Sequence, residues 1–224
     1  MVTRTVRQTR VTLPDFDAAD LDEVDSLDER DRLMEFAYSD ARLREFSLSE
    51  VQLMDGRISG LTTERARLTG LRLNSVELIG CDLSGLRWGD SKLSRVTFAD
   101  CKLLGAAWEN VVLDQVVFDR CKFDLATLTR VRASGPVIFL ACSLREVQFA
   151  AADLSSAAFD ECDLSNVEFD GGKYRNLDLR GNDLSTLRGL SSLKQVIIDR
   201  PQVQQLAEAL AAELEVTYGE DLEE

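Results

Sequence analysis

The sequence predicts an all-β chain wound into a four-sided solenoid. Three observations predict it: a large apolar residue at every fifth position, a smaller residue two places before each of these, and a return of residue type every 20 positions. A period of five fits neither the two of a strand nor the 3.6 of a helix, so no single regular element gathers these side chains on one face. The chain has to coil back on itself to bury them.

In CDLSGLRWGDSKLSRVTFAD, residues 81–100, the apolar centres are Leu83, Trp88, Leu93 and Phe98. The same phase runs back through Leu78, Leu73, Leu68, Thr63, Ile58, Leu53 and Leu48 to Leu43, and forward through Leu103, Trp108, Leu113, Phe118, Phe123 and Leu128 to Ala133. It slips by one residue at Gly135-Pro136 and resumes from Phe139 through Leu144, Phe149, Leu154, Phe159, Leu164, Phe169, Tyr174 and Leu179 to Leu184. The smaller class includes Val51, Ala66, Val76, Val96, Ala106, Val116, Ala126, Val147 and Ala157, with exceptions at Phe46, Gly56, Ser91, Gly172 and Asn182. The other three positions of each five are mostly charged, hydroxylated, Gly or Asn, so two look inward and three outward.

Side chains that stack between coils should resemble each other. The five cysteines, 81, 101, 121, 142 and 162, all fall in the small inward position and step by 20 once the slip is allowed. Phe98, Phe118, Phe139 and Phe159 form a second column, and Trp88 lies below Trp108. Four fives therefore make one coil. The 29 centres give about 7 coils, a narrow rod roughly 34 Å tall at one strand spacing per coil.

The copies CDLSG, ADLSS, CDLSN, LDLRG and NDLST carry a resemblance. The chain resembles the pentapeptide-repeat proteins, whose consensus runs small residue, Asp or Asn, Leu or Phe, then two polar positions, over about residues 36–198. The Asp/Asn position departs from it at Lys92, Thr97, Lys102, Val112 and Lys122. The resemblance implies a right-handed quadrilateral parallel β-helix. It also brings in a functional class, since the best understood cytoplasmic members are quinolone-resistance proteins that bind DNA gyrase, mimic DNA and pair through their C-terminal ends.

Composition narrows the function. No run of 18 apolar residues exists, and the start MVTRTVRQTR has no apolar stretch behind its basic residues, so neither a membrane span nor a signal peptide is expected and a cytoplasmic location is. The odd cysteine count and inward placement predict buried reduced thiols. Histidine is absent, which removes the commonest general base and metal ligand. Carboxylates on the outer wall of a rod find no desolvated cleft, and no phosphate-binding glycine loop is present. The expectation is a non-enzymatic protein without cofactor or metal.

The net charge of −14 is unevenly spread: −6 over residues 1–40, +3 over 41–145 and −11 over 146–224. Glu146, Asp153, Asp160, Glu161, Asp163, Glu168 and Asp170 occupy outward positions of little more than one coil with no Lys or Arg among them, and are distributed over all four sides as an acidic belt. Such a belt is either solvated surface, Asp being part of the repeat, or a docking surface for a basic partner. Just upstream, Arg120, Lys122, Arg130, Arg132 and Arg145 meet only Asp124 between residues 120 and 145. Overall acidity and the lack of interleaved exposed aromatics make that patch a poor nucleic-acid surface.

The coil ends must be capped to keep a solenoid soluble. Residues 1–37 are assigned to an N-terminal cap segment, in which TRTVRQTRVTL alternates as a strand does and DAADLDEVDSLDERDRLMEF is a candidate helix; 38–198 form the β-helix and 199–224 a C-terminal helix with an acidic tail. KQVIID reads as a last strand. In DRPQVQQLAEALAAELEV, Asp199 is a candidate cap, and Val203, Leu206, Leu210 and Leu214 share one helical face. That face is either a lid on the last coil or a homodimer contact. Two functional classes follow: a DNA mimic that inhibits or protects DNA gyrase, a type II topoisomerase, or a scaffold for a different protein partner.

Overall fold

In the computed structural model, which describes residues 2–27 and 31–219, the five-residue ladder closes into a four-sided parallel solenoid. The second side (Leu68, Trp88, Trp108, Leu128, Phe149, Phe169) is a seven-stranded sheet, with Trp88 in register against Trp108. The third side (Leu73, Leu93, Leu113) and the fourth (Leu78, Phe98, Phe118, Phe139, Phe159) share a 10-stranded sheet, because strands such as Lys92–Ala99 and Val112–Asp119 turn the corner between them. On the first side (Leu83, Leu103, Phe123, Leu144, Leu164) the coils meet mainly through isolated bridges, Asp82 to Lys102 to Lys122 to Ser143 to Asp163.

The residue two places after each centre is the corner, and it takes left-handed φ at Gly85, Asp90, Arg95, Asp100, Gly105, Asn110 and onward to Gly181, with Gly135 at the phase slip excepted. Such a conformation disfavours most side chains, yet the corner amide is also where one coil bonds the next. Leu125 N–H donates to Arg145 O at 2.9 Å and Glu146 N–H to Ser165 O at 2.9 Å. Hydrogen bonds between coils hold a strained residue at each turn.

Inside, one continuous core runs from Leu27 to Leu187. The phenylalanine column stacks with ring centroids 4.9, 4.7 and 4.5 Å apart, and the two tryptophans lie 4.9 Å apart. All five cysteines are free and buried, each thiol directed at two backbone carbonyls, as Cys101 is at Leu78 O and Ala99 O, both at 3.4 Å. Hydrogen bonding to Cys121, opposed by that to Cys81, together with burial, pushes the Cys101 thiol up to about 12. The exceptions to the small class have partners: a Cβ on Gly56 would fall 2.3 Å from the ring of Phe36, the large residue one coil below it. A large residue under an absent side chain keeps the column filled.

The ends differ from the sequence reading in an informative way. Instead of a helix, the acidic segment forms a short 3-10 turn, Ala18–Asp20, and strands Asp22–Glu23 and Arg32–Met34 that join the parallel sheet, because Leu27 and Phe36 are buried in the same core as the coils above. Strands β1 (Thr3–Val6) and β2 (Thr9–Thr12) form an antiparallel hairpin on the flank of the tower. KQVIID contributes only a bridge, Ile197 to Asp178. Helix α1 (Gln202–Glu213) begins after Pro201, with no side-chain cap from Asp199. It lies on the last coil: Gln202 Nε2 donates to Leu179 O and Asn182 O at 2.9 and 2.7 Å, and Gln205 Oε1 accepts from Leu184 N–H at 3.1 Å. Side-chain amides thus satisfy backbone groups that a further coil would otherwise bond.

Candidate interaction surfaces

The repeat dictates where functional side chains stand. With inward positions filled by core, everything available to a partner is on the three outward positions, on the hairpin, or on α1. Among the described residues no group of three or more Cys, Asp or Glu is placed to hold a metal ion, and no helix is long and apolar enough to cross a membrane.

The seven acidic residues singled out in the sequence occupy different environments. Asp153 and Asp163 build their own turns: each Oδ1 accepts from the hydroxyl of the serine two places on, Ser155 at 2.7 Å and Ser165 at 2.6 Å. Glu168 accepts from Gln148 Nε2 at 3.5 Å on the second side. Asp160, on the fourth side, is held by Arg7 of the hairpin at 2.7 Å. Glu146, Glu161 and Asp170 are exposed. The structure therefore divides the belt into turn-forming, paired and open carboxylates.

The basic patch is largely paired within the tower. Arg120 bonds Asp100 and Asp119 at 2.8 Å each, Arg145 bonds Asp124 at 2.7 Å, and Arg130 meets Glu109. Most of these partners sit one coil below, so a stacked coil offers an arginine its counter-ion about one strand spacing away. Burial would raise the Asp124 carboxyl, but hydrogen bonds from Arg145 and Ser143 outweigh it and hold it below the usual carboxylate range.

On α1 the four apolar residues separate. Leu206 packs on the core, while Val203, Leu210 and Leu214 are 58%, 44% and 65% exposed. Val216 and Tyr218, just beyond the helix, are exposed too. The lid and the outward apolar face are two faces of one helix.

Sequence reasoning passed over the fourth side. Its outward residues Val117, Ile138 and Ala158 are apolar and buried, covered by Val6 and Val11 of the hairpin with Leu13 and Leu140 at the margin. Arg4 Nη1 bonds Asp119 at 2.8 Å, Arg7 Nη1 reaches Asp178 at 3.4 Å, and Arg7 Nη2 donates to Arg180 O at 2.7 Å. The signal was present: three apolar residues one coil apart, at steps of 21 across the slip and then 20, in a column that the repeat reserves for polar side chains.

Residues 91–130 and 142–181 match the family described as Pentapeptide repeats (8 copies). A comparison with curated proteins finds no match. Among solved structures, full-length QnrB1, described as a plasmid-mediated fluoroquinolone resistance protein, is similar at 19% identity over 78% of this chain and 99% of its own, with a TM-score of 0.37. HetL, a pentapeptide repeat protein involved in heterocyst differentiation regulation from the cyanobacterium Nostoc sp., is similar at 19% identity over 74% of this chain and 86% of its own, with a TM-score of 0.29.

Proposed function

Given that the chain belongs to the pentapeptide-repeat proteins, we propose that it is a non-catalytic, cytoplasmic protein that acts as a dimeric DNA mimic on DNA gyrase. One observation carries this reading: the strongly acidic part of the rod, net −11 over residues 146–224, adjoins a helix whose Val203, Leu210 and Leu214 face solvent. Duplex DNA presents one negative charge for about every 1.7 Å of axis, so a mimic has to concentrate acidic groups where the enzyme's basic saddle grips. A single tower with net +3 over residues 41–145 does not do that. Pairing through α1 joins two acidic ends at the centre of a longer rod and brings Glu146, Glu161 and Asp170 of both copies toward it.

A scaffold for a different protein partner is the second reading, favoured by the engagement of Asp160 with Arg7. A gyrase supercoiling assay separates the two. Inhibition that weakens with salt, and weakens again when Glu146, Glu161, Glu168 and Asp170 become Gln or Asn with the β signal intact, supports mimicry. Supercoiling untouched at micromolar protein and low salt assigns the scaffold role.

A further inference from the structure

The geometry points to the fourth side as a second docking surface, for a basic β-hairpin of a partner protein, with the chain's own N-terminal hairpin occupying it as an intramolecular stand-in. The inference is independent of whether the partner of the acidic end is a topoisomerase.

The tower does not need the hairpin to complete its coils. Val116, Val117 and Phe118 bond in register to the strands on either side, as does Phe139, and Phe159 pairs with Phe139 below and donates its N–H to Asp178 O above, without help from residues 2–12. What the hairpin covers is a built groove with an apolar floor, Val117, Ile138 and Ala158, and three carboxylates along it, Asp119, Asp160 and Asp178. Nothing in the repeat calls for that floor, since the same column carries Arg57, Glu77 and Thr97 in the coils below, and three stacked apolar residues left in water would be a liability. The hairpin fits it with one face: Val6 and Val11 enter the floor, Arg4, paired opposite Val11, reaches Asp119 from the same face, and Arg7 in the turn reaches Asp160. Its backbone adds one bond, Thr12 N–H to Gln115 Oε1 at 2.6 Å.

The attachment is suited to exchange. An isolated two-stranded hairpin is marginal in water, so this one is ordered by its seat. The side chains of Arg4 and Arg7 are 39% and 24% exposed, which leaves their ion pairs open to screening. A partner segment with arginines flanking valine at the same spacing would meet the same floor and carboxylates.

The test uses the full chain with Ala158→Cys, whose thiol lies beneath the hairpin while the five native thiols are buried in the core. Labelling should be slow at low salt and rise about tenfold or more when Arg4→Glu and Arg7→Glu remove the ion pairs. A synthetic peptide of residues 2–13 should then bind the charge-reversed protein in trans and protect the thiol again, whereas a scrambled peptide should not. Labelling that stays slow after charge reversal, labelling already fast in the single variant, or a freed groove that takes the scrambled peptide equally well overturns the inference. Should charge reversal abolish the β signal, 1 M salt applied to the single variant decides instead: faster labelling supports an exchangeable hairpin, and an unchanged rate rejects it.

Discussion

At the corners of the coils, single residues carry the strain of the fold. Leu125 has φ of 63° and is 63% exposed, so it bears the left-handed penalty and gains little burial in return. Asn tolerates that conformation and already stands at the corners Asn110, Asn166 and Asn176. Leu125→Asn should stabilise the protein by about 0.5–1 kcal/mol, read as a higher denaturant midpoint. Two residues earlier, Phe123→Ala, with the side chain in the core, should cost about 3–5 kcal/mol; a corner change as costly as the core change would refute this division. The alternation of inward and outward positions was legible because each position's demand is local. The pairing of Gly56 with Phe36 was not, since Phe36 falls in the segment that the sequence assigns to the cap and not to a coil.

Elements differ in how far their roles could be foreseen. The spacing of Val203, Leu206, Leu210 and Leu214 marks an apolar helical face, but only the seat of α1 on the last coil shows Leu206 turned toward the core and the other three toward solvent. Leu206→Glu should therefore lower the melting temperature, by an amount in line with burying an unpaired charge. Leu210→Glu with Leu214→Glu should leave it nearly unchanged in dilute protein and convert a dimer to a monomer in sedimentation. A monomer in the unaltered protein would restrict the helix to its lid. The hairpin is the element least readable in advance, because TRTVRQTRVTL shows strand alternation without naming its partner, and the residues that receive it lie more than 100 positions away.

For the whole molecule, charge pairs between stacked coils set the response to acid. Hydrogen bonding and charge from Arg120 lower the Asp100 carboxyl. Burial would raise Asp178, yet Arg180 and Arg7 outweigh it, and the same balance with Ser84 and Lys102 lowers Asp82. Folded carboxyls that titrate below their unfolded value of about 3.9 stabilise the fold above that pH and lose this contribution as pH falls through the folded values. The melting temperature should accordingly hold steady from neutral pH to about 5 and fall below about 4. A maximum near pH 3 would show that relief of the net charge of −14 dominates over these pairs.

A tower of like coils can change its height by whole storeys, and duplicating 20 residues is the natural way to add one of about 4.8 Å. The hairpin breaks that freedom. It is anchored at Asp119 and again at Asp160 and Asp178, so it acts as a gauge that counts the coils between those anchors. A storey inserted between 120 and 160 moves one anchor out of reach of the other. The stretch of tower between the anchors is in this sense fixed in length by the hairpin that spans it.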